Sequence, residues 1–335
     1  MKVLLYTCGE SIVKKSGIGI AIKHQEKALI SSGIEYTKDV SKDYDIVQIN
    51  TVFLRSLIMS YISRLRGKKV VYYAHSTMED FKNSFNGSNL IAPLFKKWIS
   101  LCYNSGDIVI TPTEYSKKLL ESYKTIRKPI INLSNGIDVD FYSNNKSLNG
   151  FRKKFNIDMD KKVVISVGHF IERKGIIDFV ELAKKNPNYE FYWFGETPSS
   201  LITKNVRVAI NTELDNLHFP GYVNKEDLKD VYRNSDLFLF LTYEETEGIV
   251  ILEALASKLP ILVRDIPVYE DWLKDGVNVY KASSFDEFNY KLNEILNGKC
   301  DDLTKNGLDL AKTRDIKNIG DRLKEIYTNL LIRGW

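Results

Sequence analysis

The chain has 335 residues, of which 44% are hydrophobic and 27% charged, and these proportions are typical of a globular protein rather than a disordered or fibrous one. This length leaves room for two domains with a core each. The net charge of +5 is divided unevenly: residues 1–150 carry 21 Lys and Arg against 13 Asp and Glu, a net +8, whereas residues 151–335 carry 27 against 30, a net −3. A basic half is typical of a Lys-rich solvated surface, and also of proteins that bind nucleic acid, anionic membranes or phosphorylated ligands.

Three features of the sequence bear on its location. No apolar stretch approaches the ~20 residues that are needed to span a bilayer. The N-terminus runs directly into an apolar strand pattern without a cleavage site, so we expect no signal peptide. The scattered cysteines Cys8, Cys102 and Cys300 lack metal-ligand spacing, which indicates reduced thiols in a cytosol.

The first predicted strand covers residues 2–7, and a loop that ends in Ser16-Gly17-Ile18-Gly19 joins it to a helical pattern over residues 20–32. A strand, a glycine loop and a helix begin a doubly wound α/β fold. Gly17 and Gly19 let a ligand approach the backbone closely, although the G-x-G-x-x-G spacing of dinucleotide sites is absent. An ordinary tight turn is the other interpretation of these glycines.

Further buried strands are predicted in the first half at residues 45–50, 69–74, 107–112 and 130–133. His75 follows the second of these strands and is either a ligand contact or a helix-capping residue; its position at the carboxyl end of a strand favours a contact. Asp138 and Asp140 superficially form a D-x-D metal pattern. Acids after Asn-Gly more often make turn hydrogen bonds, so we predict no metal site.

Two segments between these strands, residues 52–69 and 90–103, combine apolar residues at helical spacing with basic residues. Basic amphipathic helices can lie on an anionic membrane surface. Every surface helix of an α/β sheet also needs an apolar face, so an ordinary packing role is the alternative. The candidate membrane and acceptor contacts are Arg55, Arg64, Arg66, Lys68, Lys69, Lys96, Lys97 and Trp98.

A polar, Asn-rich linker at residues 143–150 precedes a second run of alternating strands and helices, which starts at residues 162–167. After the first strand of this run, Arg173 and Lys174 precede Gly175 at the start of a helix. Paired cations on a glycine-bounded loop suit a diphosphate, and the helix N–H groups add donors. A solvated cation pair is the alternative interpretation.

An apolar run at residues 236–241 predicts a buried strand, and residues 248–257 are predicted to form the helix that follows it. Three acids, Glu244, Glu245 and Glu247, stand between them. The helix N-terminus suits a phosphate, whereas the acids suit sugar hydroxyls, so a ligand that carries both groups fits this turn. Alternatively, the acids only cap the helix.

The order of these short motifs resembles that of the retaining GT-B glycosyltransferases of family 4. The motifs are an E-x7-E pattern from Glu245 to Glu253 and residues 134–138, 172–175 and 219–223. The resemblance implies an α/β GT-B fold in which two doubly wound Rossmann-like domains face each other across a cleft. The expected parts are an N-terminal acceptor and membrane domain at residues 1–148, a nucleotide-sugar domain at 149–312, and a C-terminal helix at 313–335 that packs back towards the N-terminal domain.

Further segments are similar to those of the bacterial diglycosyl-diacylglycerol synthases, which add a second hexose to monoglycosyl-diacylglycerol. The segments are residues 14–19, 75–85, 193–197 and 264–269. This similarity implies a hexosyltransferase with UDP-glucose or UDP-galactose as its donor substrate, a glycolipid acceptor, and no metal or other cofactor. It also implies a peripheral protein that binds an anionic membrane surface at the cytoplasmic face of the cell membrane, and no nucleic-acid partner.

The same resemblance implies roles for individual residues. Arg173 and Lys174 match the cations that bind the donor diphosphate. Glu253 matches the acid that binds the ribose, Glu245 the acid beside the transferred hexose, and His75 a histidine near that hexose. The expected catalytic set is Glu245, His75, Arg173 and Lys174. The remainder of the expected donor site is Gly17, Gly19, Gly195, Tyr222, Val223, Gly248, Ile249 and Val250.

One position departs from the family pattern, because His169 stands where many members have Arg directly after a glycine. This departure implies a weaker hold on the diphosphate or more reliance on Arg173. Two alternatives to a glycolipid function remain open. One is a family 4 transferase with a soluble or polysaccharide acceptor, and the other is a non-catalytic GT-B module that binds a partner protein.

Overall fold

The part of the chain that the structure describes contains two parallel β-sheets of six strands each. The structure is a computed structural model that describes residues 1–9, 13–14, 16–144 and 150–334. Part of the predicted glycine loop (residues 10–12 and 15) lies outside the described residues. Linker residues 145–149, with the expected domain boundary, lie outside them as well.

The first sheet has the strand order β2-β1-β3-β4-β5-β6 and the second has the order β12-β11-β10-β7-β8-β9. The strands of the first sheet are β1 (Lys2–Tyr6), β2 (Glu35–Thr37), β3 (Ile46–Ile49), β4 (Lys69–Tyr73), β5 (Ile108–Thr111) and β6 (Ile130–Asn132). Those of the second are β7 (Val163–Val167), β8 (Glu190–Phe194), β9 (Leu217–Gly221), β10 (Leu237–Phe240), β11 (Ile261–Arg264) and β12 (Tyr280–Ala282).

Helices connect these strands, because parallel neighbours can be joined only by a crossover. In the first half the helices are α1 (Gly17–Ser31), α2 (Leu54–Leu65), α3 (Met78–Phe81), α4 (Ser88–Asn104), α5 (Glu114–Ser122) and α6 (Val139–Ser143). In the second half they are α7 (Gly150–Lys154), α8 (Ile176–Lys185), α9 (Lys204–Ile210), α10 (Lys225–Arg233), α11 (Ile249–Ala256), α12 (Phe285–Leu296), α13 (Thr304–Thr313) and α14 (Ile316–Arg333). Single 3₁₀ turns lie at Glu172–Lys174, Ser199–Leu201 and Pro267–Tyr269.

Continuous apolar runs explain the central strands. Every residue of β3, β5, β10 and β11 is buried. Strands that helices cover on both faces need apolar residues at successive positions rather than at alternate ones. The predicted α/β class with two doubly wound sheets is confirmed.

Elements without such runs were harder to predict. β2 and β12 were not predicted, and each is a three-residue edge strand without a fully buried face. α1 begins at Gly17, three residues before its predicted start. α11 covers Ile249–Ala256, with Gly248 as its N-cap rather than its first residue.

The strand orders place a crevice at one edge of each sheet. In the second sheet the order proceeds from β7 through β8 to β9 on one side and from β10 through β11 to β12 on the other, so β7 and β10 are neighbours at the point of reversal. In the first sheet β1 and β3 hold the corresponding position. Ligands of open α/β sheets bind beyond the carboxyl ends of the strands at such a switch point.

The last helix packs against the first sheet although it follows the second in sequence. Ile319 and Leu323 of α14 share a buried cluster with Val3 of β1 and Leu29 of α1. The hydroxyl of Tyr327 donates a hydrogen bond of 2.6 Å to Gln48 Oε1 in β3. The C-terminal part of the chain therefore returns from the second sheet to the first.

Within the ranges that the structure describes, no helix combines the length and the apolar composition that a membrane span requires.

Candidate active site

The loops that follow β7 and β10 lie side by side at the switch point of the second sheet. The N–H of Tyr243 donates to the carbonyl oxygen of Arg173 at 2.8 Å, and the hydroxyl of Thr242 donates to the same oxygen at 3.3 Å. Gly175 permits this approach, because its φ is +78° and a Cβ there would lie 2.3 Å from the carbonyl oxygen of Leu241. The two loops therefore bring Arg173 and the acidic turn together.

Both predicted diphosphate cations have carboxylate partners in this cluster. The Lys174 ammonium contacts Glu245 Oε1. Arg173 Nη1 donates to the carbonyl oxygen of Glu244 at 2.7 Å and lies 2.9 Å from Asp80 Oδ1, which belongs to α3 beside the first sheet. Arg173 is buried, and its Nε has no hydrogen-bond partner among the described residues. The structure thus joins Arg173, Lys174 and Glu245, and adds Asp80 from across the cleft.

The acids of the turn do not cap α11. Gly248 is the N-cap, with φ at +87°, and no side chain in the described part of the chain caps this helix. A Cβ at Gly248 would lie 3.3 Å from Ile251 Cδ1 and 3.4 Å from Tyr269 Oη, so a side chain there would meet both strain and crowding. The first turn of α11, with Ile249 and Val250, therefore presents backbone amides to the crevice without a side-chain cap.

Glu253, the second acid of the E-x7-E pattern, lies in α11 and is 1% exposed. Its two carboxylate oxygens accept hydrogen bonds from Tyr142 Oη at 2.7 Å and from Tyr232 Oη at 3.0 Å. Burial raises the pKa of Glu253, and the two hydroxyls oppose that change. Because each oxygen has a second lone pair, the two tyrosines orient the carboxylate without using all of its acceptor capacity.

Glu247 makes contacts between the two halves of the chain. It accepts hydrogen bonds from Ser134 Oγ at 2.5 Å, from Asn135 N at 3.0 Å and from Asn135 Nδ2 at 2.7 Å. Arg314 Nη1 lies 3.6 Å from the same carboxylate. Burial raises the pKa of Glu247, and Arg314 and these hydrogen bonds oppose the rise. Glu247 is therefore a structural acid.

The same turn contacts α5 in the first half. The carbonyl oxygen of Thr246 accepts hydrogen bonds from Thr113 Oγ1 at 2.8 Å and Ser116 Oγ at 3.0 Å. Tyr115 Oη donates to Glu244 Oε1 at 3.0 Å. Burial raises the pKa of Glu244 to about 7; among the smaller effects, Tyr115 and Arg173 oppose the rise, whereas the charge of Asp80 adds to it. The turn between β10 and α11 therefore serves both the crevice and the contact between the halves.

His75 lies at the carboxyl end of β4, as predicted, and is buried. Its Nε2 lies 2.9 Å from Asn50 Oδ1, and its ring stacks on Tyr73 with centroids 5.8 Å apart. Burial lowers the pKa of His75 to about 4, so the imidazole is neutral at physiological pH. When Nε2 donates to Asn50, Nδ1 is left as a hydrogen-bond acceptor.

Two family models match most of the chain between them. The model for glycosyl transferases group 1 matches residues 149–309, and the model for glycosyltransferase family 4 matches residues 26–141. The processive diacylglycerol alpha-glucosyltransferase of Acholeplasma laidlawii is 42% identical over 333 residues, which cover 99% of each chain. The chain belongs to the family 4 glycosyltransferases.

Other comparisons agree with this assignment. The alpha-galactosylglucosyldiacylglycerol synthase of Streptococcus pneumoniae is 22% identical over 74% of this chain and 67% of its own length. Among solved structures, Anabaena HepE in complex with UDP and glucose matches with a TM-score of 0.76 at 16% identity, over 98% of this chain and 100% of that one. At this identity the likeness shows the fold alone, and the predicted GT-B fold is confirmed.

The remaining predicted donor residues of this glycosyltransferase lie along the carboxyl edges of the two sheets. Gly195 follows β8, and Tyr222 and Val223 follow β9. Tyr222 is exposed, whereas Val223 packs against the core. Gly17 is the first residue of α1, and Gly19 lies two residues further, where a Cβ would come within 2.4 Å of Val13 O. The role of these residues as donor contacts stays a prediction.

His169 stands where the family resemblance led us to expect Arg. Its Nδ1 lies 2.6 Å from the carbonyl oxygen of Glu196, so this nitrogen is the donor. Burial and the nearby cations Lys174 and Arg173 lower the pKa of His169. A neutral imidazole supplies no positive charge to the crevice.

Both carboxylates of the D-x-D pattern contact other residues of the protein. Asp138 contacts Lys27 and accepts a hydrogen bond from the N–H of Phe141 at 3.0 Å, and Asp140 lies 3.0 Å from Lys317. Within the described ranges, no three metal-ligating side chains cluster.

The two predicted amphipathic segments form α2 and α4, which pack side by side. Leu57 of α2 and Ile99 of α4 belong to one buried cluster, and Ser60 Oγ donates to Ser105 Oγ at 2.7 Å. Their outer surface, which we call the α2–α4 apolar face, consists of Leu54, Ile58, Tyr61, Ile62, Leu65, Leu90, Ile91, Leu94 and Leu101. Leu65 and Leu90 are 88% and 85% exposed. Exposed apolar side chains in this number on two neighbouring helices are typical of an interaction site.

The eight candidate membrane residues divide into two groups around this face. Arg55, Arg64, Arg66 and Lys97 are exposed. The other four have partners within the protein or are half-buried. Lys68 pairs with Asp43 at the surface, Lys69 is half-buried in β4, Lys96 lies over the Tyr123 ring, and Trp98 donates from its indole N–H to Val52 O. The exposed arginines and Lys97 are therefore the stronger candidates for contacts with anionic lipid.

Sequence reasoning did not identify Asp80, Asn50 or Tyr115 as parts of the site. Asp80 lies within residues 75–85, which carried part of the family resemblance, but nothing in the local pattern indicated that it reaches Arg173. Asn50 ends a predicted strand beside that of His75, and polar residues at adjacent strand ends were the available signal. Tyr115 reaches Glu244 only because the two halves meet.

Proposed function

We propose that the enzyme transfers glucose from UDP-glucose to the sugar of monoglucosyl-diacylglycerol and retains the α configuration. The observation that carries this proposal is the cluster of Arg173, Lys174 and Glu245 at the switch point of the second sheet. The full-length similarity to a processive diacylglycerol alpha-glucosyltransferase supports the acceptor class and favours glucose over galactose.

In the proposed reaction, the bond between the anomeric carbon of glucose and the β-phosphate oxygen of UDP breaks. An acceptor hydroxyl oxygen forms a new bond to that carbon on the same face of the sugar, and its proton passes to the leaving phosphate oxygen, so that UDP is released. Charge that develops on the diphosphate is stabilised by Arg173 and Lys174. Neither a metal ion nor a covalent enzyme intermediate takes part.

The other residues have positioning roles in this proposal. The amides of Gly248, Ile249 and Val250 face the β-phosphate and the hexose, as a helix N-terminus favours. Glu253 accepts from the ribose hydroxyls while Tyr142 and Tyr232 hold its orientation. Glu245 and neutral His75 contact hydroxyls of the transferred glucose. Gly17 and Gly19 close over the phosphate, and Gly195, Tyr222 and Val223 complete the donor pocket.

The α2–α4 apolar face is proposed to rest on the anionic membrane that contains the acceptor, at its cytoplasmic side. Its exposed leucines would enter the headgroup region, and Arg55, Arg64, Arg66 and Lys97 would lie at the level of the phosphates. This arrangement lets a peripheral protein reach a lipid substrate without a membrane span.

One assay tests the reaction. Radiolabelled UDP-glucose and UDP-galactose are offered separately with monoglucosyl-diacylglycerol in mixed micelles, and the anomeric configuration of the product linkage is determined. We expect labelled diglucosyl-diacylglycerol from UDP-glucose with an α linkage. Transfer only to a soluble saccharide would favour the soluble-acceptor alternative. An enzyme preparation that neither hydrolyses the donor nor transfers its sugar would favour the partner-binding module.

A sedimentation assay tests the membrane surface. The wild-type enzyme should pellet with vesicles of anionic phospholipid and remain in the supernatant with vesicles of phosphatidylcholine alone. The double variant Leu90→Ser and Leu94→Ser should lose about tenfold or more in vesicle affinity, since each exposed leucine contributes roughly 1 kcal/mol when it is buried in lipid. Val208→Ser, which changes an exposed residue on α9, is the matched control.

A further inference from the structure

Tyr269 lies next to the start of α11, at the centre of the proposed donor site. It is the last residue of the 3₁₀ turn after β11 and belongs to residues 264–269, which carried part of the family resemblance. Its side chain is fully buried, and its Oη would lie 3.4 Å from a Cβ at Gly248, the N-cap of α11. The ring packs edge-on against Trp272, with centroids 5.8 Å apart. These contacts fix the hydroxyl at the end of the acidic turn.

The hydroxyl of Tyr269 has no hydrogen-bond partner among the described residues. Buried hydroxyls in folded proteins are almost always bonded, so an unpaired one needs an explanation. Burial raises the pKa of Tyr269 well above its ordinary value, and the charges of Glu245 and Glu244 add to the rise. The charge of Arg173 opposes it. The phenol therefore keeps its proton at physiological pH and is a neutral hydrogen-bond donor beside the acidic turn.

A direct contact between this hydroxyl and a ligand is excluded in the described geometry. The Tyr269 Oη atom has almost no accessible surface, although it lies beside the first turn of α11. Any role of the hydroxyl in the reaction is therefore exerted through a neighbouring side chain.

Glu245 is the neighbour that would need a new hydrogen-bond donor. Its buried carboxylate contacts the Lys174 ammonium. In the proposed reaction Lys174 meets the diphosphate of UDP-glucose, so Glu245 then shares or loses its cation. A buried carboxylate without a hydrogen-bond donor is strongly disfavoured.

Thr242 is the other hydroxyl beside Glu245, and it already has acceptors. It lies 3.3 Å from Glu245 Oε1, but its single proton is shared with the carbonyl oxygens of Glu244 at 3.0 Å and Arg173 at 3.3 Å. The Tyr269 hydroxyl has a proton without an acceptor. Tyr269 and Glu245 are therefore complementary once Lys174 turns to the diphosphate.

We propose that Tyr269 is a positioning residue that donates a hydrogen bond to Glu245 when the donor diphosphate engages Lys174. A small rotation of the Glu245 side chain makes this bond, which then holds the carboxylate beside the transferred hexose. The assignment rests on the proposed donor site and adds a residue that acts through Glu245.

A double-mutant cycle tests the assignment. Tyr269→Phe removes the hydroxyl and keeps the ring, and it is made in the wild type and in Lys174→Ala, where Glu245 lacks its cation even without UDP. Tyr192→Phe makes the same exchange at another buried tyrosine, in β8, and is the control in both backgrounds. Isothermal titration gives the Kd for UDP, and thermal unfolding without UDP gives the midpoint of each protein.

We expect Tyr269→Phe to raise the Kd for UDP about tenfold, the loss typical of one hydrogen bond to a charged group. In the wild-type background it should leave the unfolding midpoint without UDP unchanged or higher, because no hydrogen bond is lost. In the Lys174→Ala background it should lower the midpoint by roughly 2–4 °C, because Tyr269 is then already bonded to Glu245. Tyr192→Phe should leave the Kd unaltered and should have the same effect on the midpoint in both backgrounds.

Three results would overturn the Tyr269 assignment alone, provided that the wild type binds UDP. The first is an unchanged Kd for UDP in Tyr269→Phe. The second is a lower midpoint of Tyr269→Phe in the wild-type background, because the hydroxyl would then be bonded without UDP, for instance to a buried water. The third is an effect on the midpoint that is equal in the two backgrounds. A wild-type enzyme that does not bind UDP would overturn the proposed function itself, and the role of Tyr269 with it.

Discussion

Arg173 Nη1 lies 2.9 Å from Asp80 Oδ1, in an ion pair that joins the loop after β7 of the second sheet to α3 beside the first. Burial raises the pKa of Asp80, while the Arg173 charge lowers it. A diphosphate in the crevice would need the same guanidinium. Asp80 is therefore a competitor for the cation that is proposed to bind the donor, and the interaction links donor binding to the contact between the halves.

Replacing the Asp80 carboxylate should strengthen UDP binding. In Asp80→Asn the guanidinium of Arg173 loses its anionic partner, so the diphosphate no longer displaces a charge, and we expect the Kd for UDP to fall about fivefold, equivalent to ~1 kcal/mol. Isothermal titration with UDP measures this change. Asp309→Asn, which removes a surface carboxylate paired with Lys312, should leave the Kd unaltered. Weaker UDP binding by Asp80→Asn would mean instead that Asp80 holds Arg173 in its binding position.

Loss of the Lys174 ammonium should impair turnover more than folding. Lys174 contacts Glu245 and is proposed to meet the diphosphate when charge develops there. For Lys174→Ala we expect kcat to fall by roughly 10²–10³, the effect of removing one preorganised electrostatic contact. Lys184→Ala, whose ammonium pairs with Glu181 on the surface of α8, is the control. Wild-type kcat in Lys174→Ala would refute the assigned role.

The fold and part of the site follow from local sequence patterns. Apolar runs such as β10 identify central strands because both faces of a parallel sheet are buried, and the pair Arg173–Lys174 stands out because it adjoins a glycine at a helix start. The Asp80–Arg173 contact has no such signal, since it depends on how two independently wound sheets meet. The structural role of Glu247 could likewise not be predicted from the sequence, because its partners Ser134 and Asn135 are distant along the chain.

The Glu247 carboxylate should contribute more to stability than to catalysis. In Glu247→Gln one carboxylate oxygen becomes an NH₂ group that faces donors on Ser134 or Asn135, and the charge opposite Arg314 is lost. We expect a loss of about 2 kcal/mol in the free energy of unfolding and retention of most of kcat. Denaturant unfolding and steady-state kinetics give the two values. Glu325→Gln, on the exposed surface of α14, should cost almost nothing. A large loss of kcat with unchanged stability would place Glu247 in the reaction instead.

Because of Glu244, the free energy of unfolding should decrease as the pH rises from about 5 to about 8. Burial raises its pKa to about 7 in the folded chain, from an ordinary value of 4.5, and nearby Asp80 adds to the rise, while Tyr115 and Arg173 oppose it. The folded state therefore holds a proton that the unfolded state has released. The resulting contribution to stability is complete below pH 4.5 and is lost as the pH rises through 7.

Glu244→Gln removes this titration and leaves a neutral side chain at the same place. We expect the variant to be more stable than the wild type at pH 8 by about 1–2 kcal/mol, a value that allows for the partial exposure of Glu244, and to show a flatter decline between pH 5 and 8. Unfolding curves at several pH values measure both quantities. Glu270→Gln, at an exposed carboxylate, should show the same pH dependence of the free energy of unfolding as the wild type. If Glu244→Gln also has the pH dependence of the wild type, Glu244 is ionised in the folded enzyme across this range. Its contact with Tyr115 is then that of a charged acceptor.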